Sequence, residues 1–130
     1  MLIETYFQQI QNAINAGAAV QSFNITFDKR GSHTGFIRAE IHFIDNSILH
    51  VREYVDVEVG IERLMYTYHF VDSLDRLIFR YDNTGHHKSL NLPTYPHHKH
   101  LGGSNEILSS PAPEFAAVLS EIEAVLTLPE

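Results

Sequence analysis

Near the start of the chain, apolar residues recur at Ile3, Phe7, Ile10 and Ile14. This i, i+4, i+7, i+11 spacing lines one face of an amphipathic helix, and Gly17 supplies a stop just beyond it. The period then changes. Phe23, Ile25 and Phe27 alternate with Asn24, Thr26 and Asp28, which predicts a half-buried strand. Lys29 to Thr34, with Gly31 inside it, reads as a turn. A second strand turns Ile37, Ala39, Ile41 and Phe43 inward, and a third does the same with Leu49, Val51, Val55 and Val57. A two-residue loop at Asp45-Asn46 would set Ile41 opposite His50 and split the apolar face. A three-residue loop at Asp45-Asn46-Ser47 instead pairs Phe43 with Leu49, Ile41 with Val51 and Ile37 with Val55, so the core pattern selects it. That register puts Glu40 opposite Arg52 on the outer face, and Glu53 on the inner face opposite Ala39.

Gly60-Ile61 suits a type II′ hairpin turn into a fourth strand, about Glu62 to Val71, with Leu64, Tyr66, Tyr68 and Phe70 inward. Asp72 to Asp75 makes a four-residue turn. A fifth strand follows over Arg76 to Asp82, with either Leu77, Phe79 and Tyr81 or Ile78, Arg80 and Asp82 facing in. Residues 83–109 form a long loop with little regular pattern, and loops of that length in a domain usually carry function or are disordered. Ser110-Pro111 then suits the start of a helix with Phe115, Val118, Leu119, Ile122, Val125 and Leu126 on one face. The expected fold is α+β: a five-strand antiparallel meander with N- and C-terminal helices packed on one face. The other face lies open, pairs with a second copy in a homodimer, or is covered by the loop. A chain of 130 residues fits one domain over 1–130.

Composition narrows the chemistry. The chain has no cysteine, which excludes disulfides, thiolate metal sites and a thiol nucleophile. Sixteen Asp+Glu against nine Lys+Arg give a net charge of −7, which argues against binding nucleic acid over the whole surface. No apolar run is long enough to cross a bilayer and no signal peptide is visible, so a cytoplasmic location without membrane contact is expected.

The charge is unevenly spread. Asn83 to Ser104 holds two lysines, five of the nine histidines and no acid. A basic segment on an acidic body attracts an anion to one place. Imidazole titrates near neutral pH, and two imidazoles with a cation suffice for metal-free RNA cleavage: one removes the 2′-hydroxyl proton, another protonates the leaving oxygen, and the cation steadies the phosphorane. The acid/base candidates are therefore His97, His98 and His100, with His86 and His87 as alternates. Asp82 is a candidate to orient an imidazole, and Arg80, Lys88 and Lys99 to hold phosphate. The competing reading is zinc held by His98 and His100, joined by His86 or His87 and a carboxylate from Asp82, Glu53 or Glu106. Glu53, on an apolar face, must be paired, hydrogen-bonded or neutral unless it reaches water at the sheet rim. With the fifth strand in its reverse facing, Glu53, Tyr68 and Arg80 would share one row. The derived register pairs His42 with His50 and Arg52 with His69 on the outer face, and these, with His33 in a turn, read as ordinary surface residues.

Arg80-Tyr81-Asp82-Asn83, His86-His87 and Pro96-His97-His98-Lys99-His100, followed by a terminal helix, resemble the TumE-like proteins, the toxin halves of bacterial toxin–antitoxin pairs. The similarity covers most of the chain, and the Pro-His-His-Lys-His run is its most specific part. In the family pattern a proline precedes the first histidine pair, where this chain has the more flexible Gly85. The resemblance implies a toxic activity neutralised by a cognate antitoxin. It assigns no mechanism, and the chemistry above adds RNA or a nucleotide as the expected target.

Overall fold

The computed structural model describes residues 1–83, 96–103 and 106–126. The first apolar stripe forms α1, Ile3–Asn15, and buries Ile3, Tyr6, Phe7, Ile10 and Ile14. Alternating segments follow as β1 (Val20–Lys29), β2 (Thr34–Phe43), β3 (Ile48–Asp56), β4 (Glu62–Val71) and β5 (Leu77–Asp82). Two short strands come next, β6 (His98–Leu101) and β7 (Ile107–Ser109), and then α2, Phe115–Leu126. All seven strands form one antiparallel sheet in sequence order. The expected α+β class, with a helix at each end, is correct, but the sheet has seven strands and not five. The two extra strands lie in the stretch read as a loop. His98-Lys99-His100-Leu101 has no apolar alternation because its outward face buries a histidine against a carboxylate, and three residues of β7 are too few to show a period.

The core lies between the sheet and the helices. Ile37, Ile41, Phe43, Leu49, Val51, Val55, Tyr66, Tyr68, Phe79 and Tyr81 meet Ile3, Phe7 and Ile14 of α1 and Val118 and Ile122 of α2. Gly35 is required where α1 crosses β2, since a Cβ there would stand 2.5 Å from the Phe7 ring. Glu123 Oε2 accepts from the Ala19 amide at 2.8 Å and ties α2 to the start of β1.

The β2–β3 loop has the expected three residues but sits one position early, at Ile44-Asp45-Asn46. Asn46 takes the left-handed conformation (φ 68°) and the Phe43 amide donates to the Ser47 carbonyl. The turn chemistry decides this: Asn suits the left-handed third position, and Asp45 Oδ1 caps the Ser47 amide. Ser73-Leu74-Asp75 repeats the device, with Asp75 at φ 63° and Asp72 Oδ1 accepting from the Leu74 and Arg76 amides, so that turn has three residues and not four. The shift moves the β2–β3 register by two. Every residue keeps its face, but Glu53 lies opposite Ile37, and Glu40 pairs with His50 while Arg38 faces Arg52.

Two further expectations fail. The turn after β3 is longer than a type II′ turn at Gly60-Ile61, and Gly60 has no positive φ. The helix after Ser110 starts at Phe115 and not at Pro111, because Pro113 disfavours the helical region for the residue before it, and Ala112 adopts φ 56°. Ser110 still caps locally, its hydroxyl accepting from the Ala112 amide.

Candidate functional site

The sheet separates two polar constellations. On the helix-covered face, Glu53 is fully buried and accepts hydrogen bonds from the hydroxyls of Tyr6 and Tyr68, each at 2.5 Å. Burial pushes its carboxyl up from the ordinary value, against the opposing pull of both tyrosines and of Arg63. Burial and the Glu53 charge likewise push Tyr6 and Tyr68 up. The Glu–Tyr–Arg line expected across the sheet exists, but with a different arginine. A bulge opposite Tyr54/Val55 makes Leu64 the extra residue of β4, so Leu64 faces solvent and Arg63 turns inward. The Arg63 guanidinium donates to Tyr68 Oη (3.0 Å) and to the carbonyls of Pro113 (2.7 Å) and Ala112 (2.7 Å), and lies 4.3 Å from the centre of the Tyr66 ring. His97 belongs to this side. Its ring stacks on Tyr66, with Nδ1 2.9 Å from the Tyr66 hydroxyl. Burial first, then Arg63 and His98, push its imidazole down, and burial raises Tyr66 to about 12. Lys99 also faces this side, 3.2 Å from Glu121 Oε1 and over the Tyr81 ring.

The other constellation stands on the open face. β5 turns Phe79 and Tyr81 toward the core and Arg80 and Asp82 away from it, which settles the ambiguous facing and removes Arg80 from the Glu53 row. Asp82 lies opposite His98 of β6, and Arg80 opposite His100. Asp82 is 1% exposed. Its Oδ1 is 2.6 Å from His98 Nε2, and its Oδ2 is 2.9 Å from Arg80 Nε and 3.5 Å from His100 Nε2. His98 Nδ1 donates to the Pro96 carbonyl at 2.8 Å, which aims Nε2 at Asp82. His98 is as buried as Asp82, whereas His100 is only half-buried. One ligand atom from each of Asp82, His98 and His100 lies within 4.8 Å of the others, a spacing that suits a single cation.

This cluster continues into a groove of about 580 Å³ lined by Arg38, Arg52, His50, His69, Thr67 and Arg80, among others. Two cross-strand rows floor it. One runs Thr26–Arg38–Arg52–Thr67–Asp82–His98, and the other Asn24–Glu40–His50–His69–Arg80–His100. Within the second row two imidazoles, His69 and His100, flank the Arg80 guanidinium on adjacent strands. Burial first, then Arg80 and His50, push His69 down from its ordinary value, which favours a neutral ring able to take a proton.

Among the sequence candidates, then, Asp82, His98, His100 and Arg80 come together. Glu53, His97 and Lys99 stand on the opposite face, and His86, His87 and Lys88 lie outside the described residues. His69 and His50 were read as ordinary because the expected register set His69 opposite Arg52; the longer turn after β3 pairs His69 with His50, and the three-residue Asp75 turn with the bulge at Ile78 pairs it with Arg80. The signal that could have found them is compositional, since histidines at alternate positions of neighbouring strands share one face.

An antiparallel sheet covered by helices on one side, with an Asp–His–Arg cluster on the other, defines an α+β protein with a polar cluster on the sheet face opposite the helices. The family model described as Toxin TumE matches residues 10–127, and the chain belongs to the TumE toxin family. No curated protein and no solved structure gives a match. Among the described residues no helix is long and apolar enough to cross a membrane.

Proposed function

We propose that the chain is the toxin of a toxin–antitoxin pair and cuts RNA, or acts on a nucleotide, by metal-independent proton transfer on the open sheet face. The observation that carries this reading is the row His69–Arg80–His100, with Asp82 beneath Arg80 and beside His100. Arg80 holds the phosphate. One flanking imidazole takes the 2′-hydroxyl proton as that oxygen bonds to phosphorus. The other gives a proton to the 5′ oxygen as its bond to phosphorus breaks, leaving a 2′,3′-cyclic phosphate and a 5′-hydroxyl. Asp82 orients His100, and His98 holds Asp82 in place, as a carboxylate and its donors commonly orient an imidazole. A cognate antitoxin that silences the chain would cover this face. The test is untagged protein incubated with RNA in the presence of a chelator. Cyclic-phosphate ends, lost in His100→Ala and His69→Ala, support the reading, and intact RNA refutes metal-independent cutting.

A second reading has its own observation. Asp82, His98 and His100 present three ligand atoms at a cation's spacing, and the Pro96 carbonyl holds His98 as backbone carbonyls hold zinc-bound histidines. Zinc there would act on a bound phosphate as a Lewis acid. Elemental analysis of untagged protein decides: one zinc per chain, lost in His98→Ala, favours it over the first reading.

A further inference from the structure

We infer that the open sheet face binds RNA as a single strand laid across the β-strands, gripped by Arg38 and Arg52 at a distance from the Asp82–His100 centre. This rests on the proposed action on RNA and commits it to a polymer over a free nucleotide. Arg38 and Arg52 are direct cross-strand neighbours and both are exposed. Like charges placed opposite each other in a sheet cost stability. Neither has an ion pair or a side-chain hydrogen bond among the described residues, although the chain carries sixteen acids. The acids nearest in the two rows are engaged elsewhere. Glu40 lies 3.5 Å from His42 Nε2 and 3.8 Å from His50 Nδ1, and Asp82 is buried under Arg80 and His98. A pair of unneutralised guanidiniums on an acidic body is a site for an anion that comes from outside.

The dimensions select an extended anion. Arg38 is on β2 and His98 on β6, four strand spacings away, or roughly 19 Å. Arg52 on β3 and Arg80 on β5 are two spacings apart, or roughly 10 Å, so phosphates held at each belong to different residues of one strand. Single-strand binding sites combine such a cationic track with aromatic platforms, and the next row over supplies one. Phe36 and Tyr54, neighbours on β2 and β3, are half-exposed on the same face with ring centres 6.4 Å apart. His69 adds an unspent group, since its Nδ1 is buried with no hydrogen-bond partner among the described residues.

The experiment is fluorescence anisotropy with a labelled, unstructured RNA of about 16 nucleotides, 2′-O-methylated so that it binds without being cut, titrated at several salt concentrations with a mononucleotide as competitor. Binding should be at least roughly tenfold weaker in Arg38→Gln/Arg52→Gln, and the slope of log K against log salt should shrink by about 1.4, since each lost phosphate contact to a single strand removes about 0.7. The mononucleotide should compete poorly. Melting curves of this variant and of both single variants verify the fold. RNA affinity that ignores both arginines, or a mononucleotide that competes as well as the strand, overturns the inference. So does a face that binds no RNA and loses self-association in the same variant on sizing chromatography, which would mark it as a contact between copies. Cleavage of unmodified RNA is followed in parallel. Cutting without arginine-dependent binding sinks the track alone, and arginine-dependent binding without cutting sinks the proposed reaction alone.

Discussion

The two faces of the sheet use the same kinds of side chain to opposite ends. On the covered face, Glu53 has two tyrosine donors, Arg63 has two carbonyls and a hydroxyl, and Lys99 has Glu121. Their partners come from α1, from β4, from the segment leading into α2 and from α2 itself, so the network ties both helices to the sheet. On the open face, Arg38 and Arg52 stand side by side with no acid partner among the described residues, and Arg80, paired with Asp82, lies between two imidazoles. Polar groups bonded within the fold serve stability, whereas charges left without local partners on an open surface are available to a ligand. On the proposed reading, one side serves architecture and the other chemistry.

Substitutions on the two sides should therefore separate. The largest effect expected is on activity: His100→Ala should lower RNA turnover about 10²- to 10⁴-fold, the usual contribution of an acid or base, with little change in melting temperature. Next is Arg63→Ala, which leaves two carbonyls and the Tyr68 hydroxyl without their donor. It should cost roughly 2–4 kcal/mol in chemical denaturation while turnover by the folded fraction is retained. Loss of turnover in that folded fraction would show that the covered face takes part in the reaction.

Glu53→Gln gives a smaller effect with a distinctive pH signature. In the fold, burial keeps the Glu53 carboxyl protonated above its ordinary value near 4.5, while in the unfolded chain it ionises at that value. The folded state thus holds an extra proton above about pH 4.5, and this contribution to stability is lost as pH rises through the raised value. Wild type should lose stability against Glu53→Gln between acidic and neutral pH, measured by paired urea melts at pH 5 and pH 8. Parallel curves would show that Glu53 is charged in the fold. Smallest is Arg38→Gln, which relieves a like-charge pair and should raise stability by about 0.2–1 kcal/mol while weakening RNA binding. A gain in stability with a loss of binding is the mark of a residue kept for a ligand.

Much of the covered face was legible in the sequence and much of the open face was not. The period-two alternation put Ile37, Leu49, Val51 and Glu53 on the core side, and a register slip of two could not move them off it, because facing depends only on parity. Arg63 was hidden because one bulge at Leu64 reverses parity locally, and nothing in Arg63-Leu64-Met65 announces it. The open face depends on register itself, since the Asp75 turn and the bulge at Ile78 bring His69 into line with Arg80, and the longer turn after β3 brings it into line with His50. β6 was hidden for a related reason: its strand character comes from pairing with β5 and from the Asp82–His98 contact, not from apolar alternation. The His-rich segment was still found, because its charge stands out against the rest of the chain whatever its fold.

The central claim is that toxicity resides in the histidine and arginine side chains of the open face. Its most direct test is growth of cells induced to express the chain without an antitoxin, compared with His69→Ala/His100→Ala at equal protein level by immunoblot. Wild type should arrest growth and the double variant should not. Equal arrest by both would place the toxic activity elsewhere on the molecule.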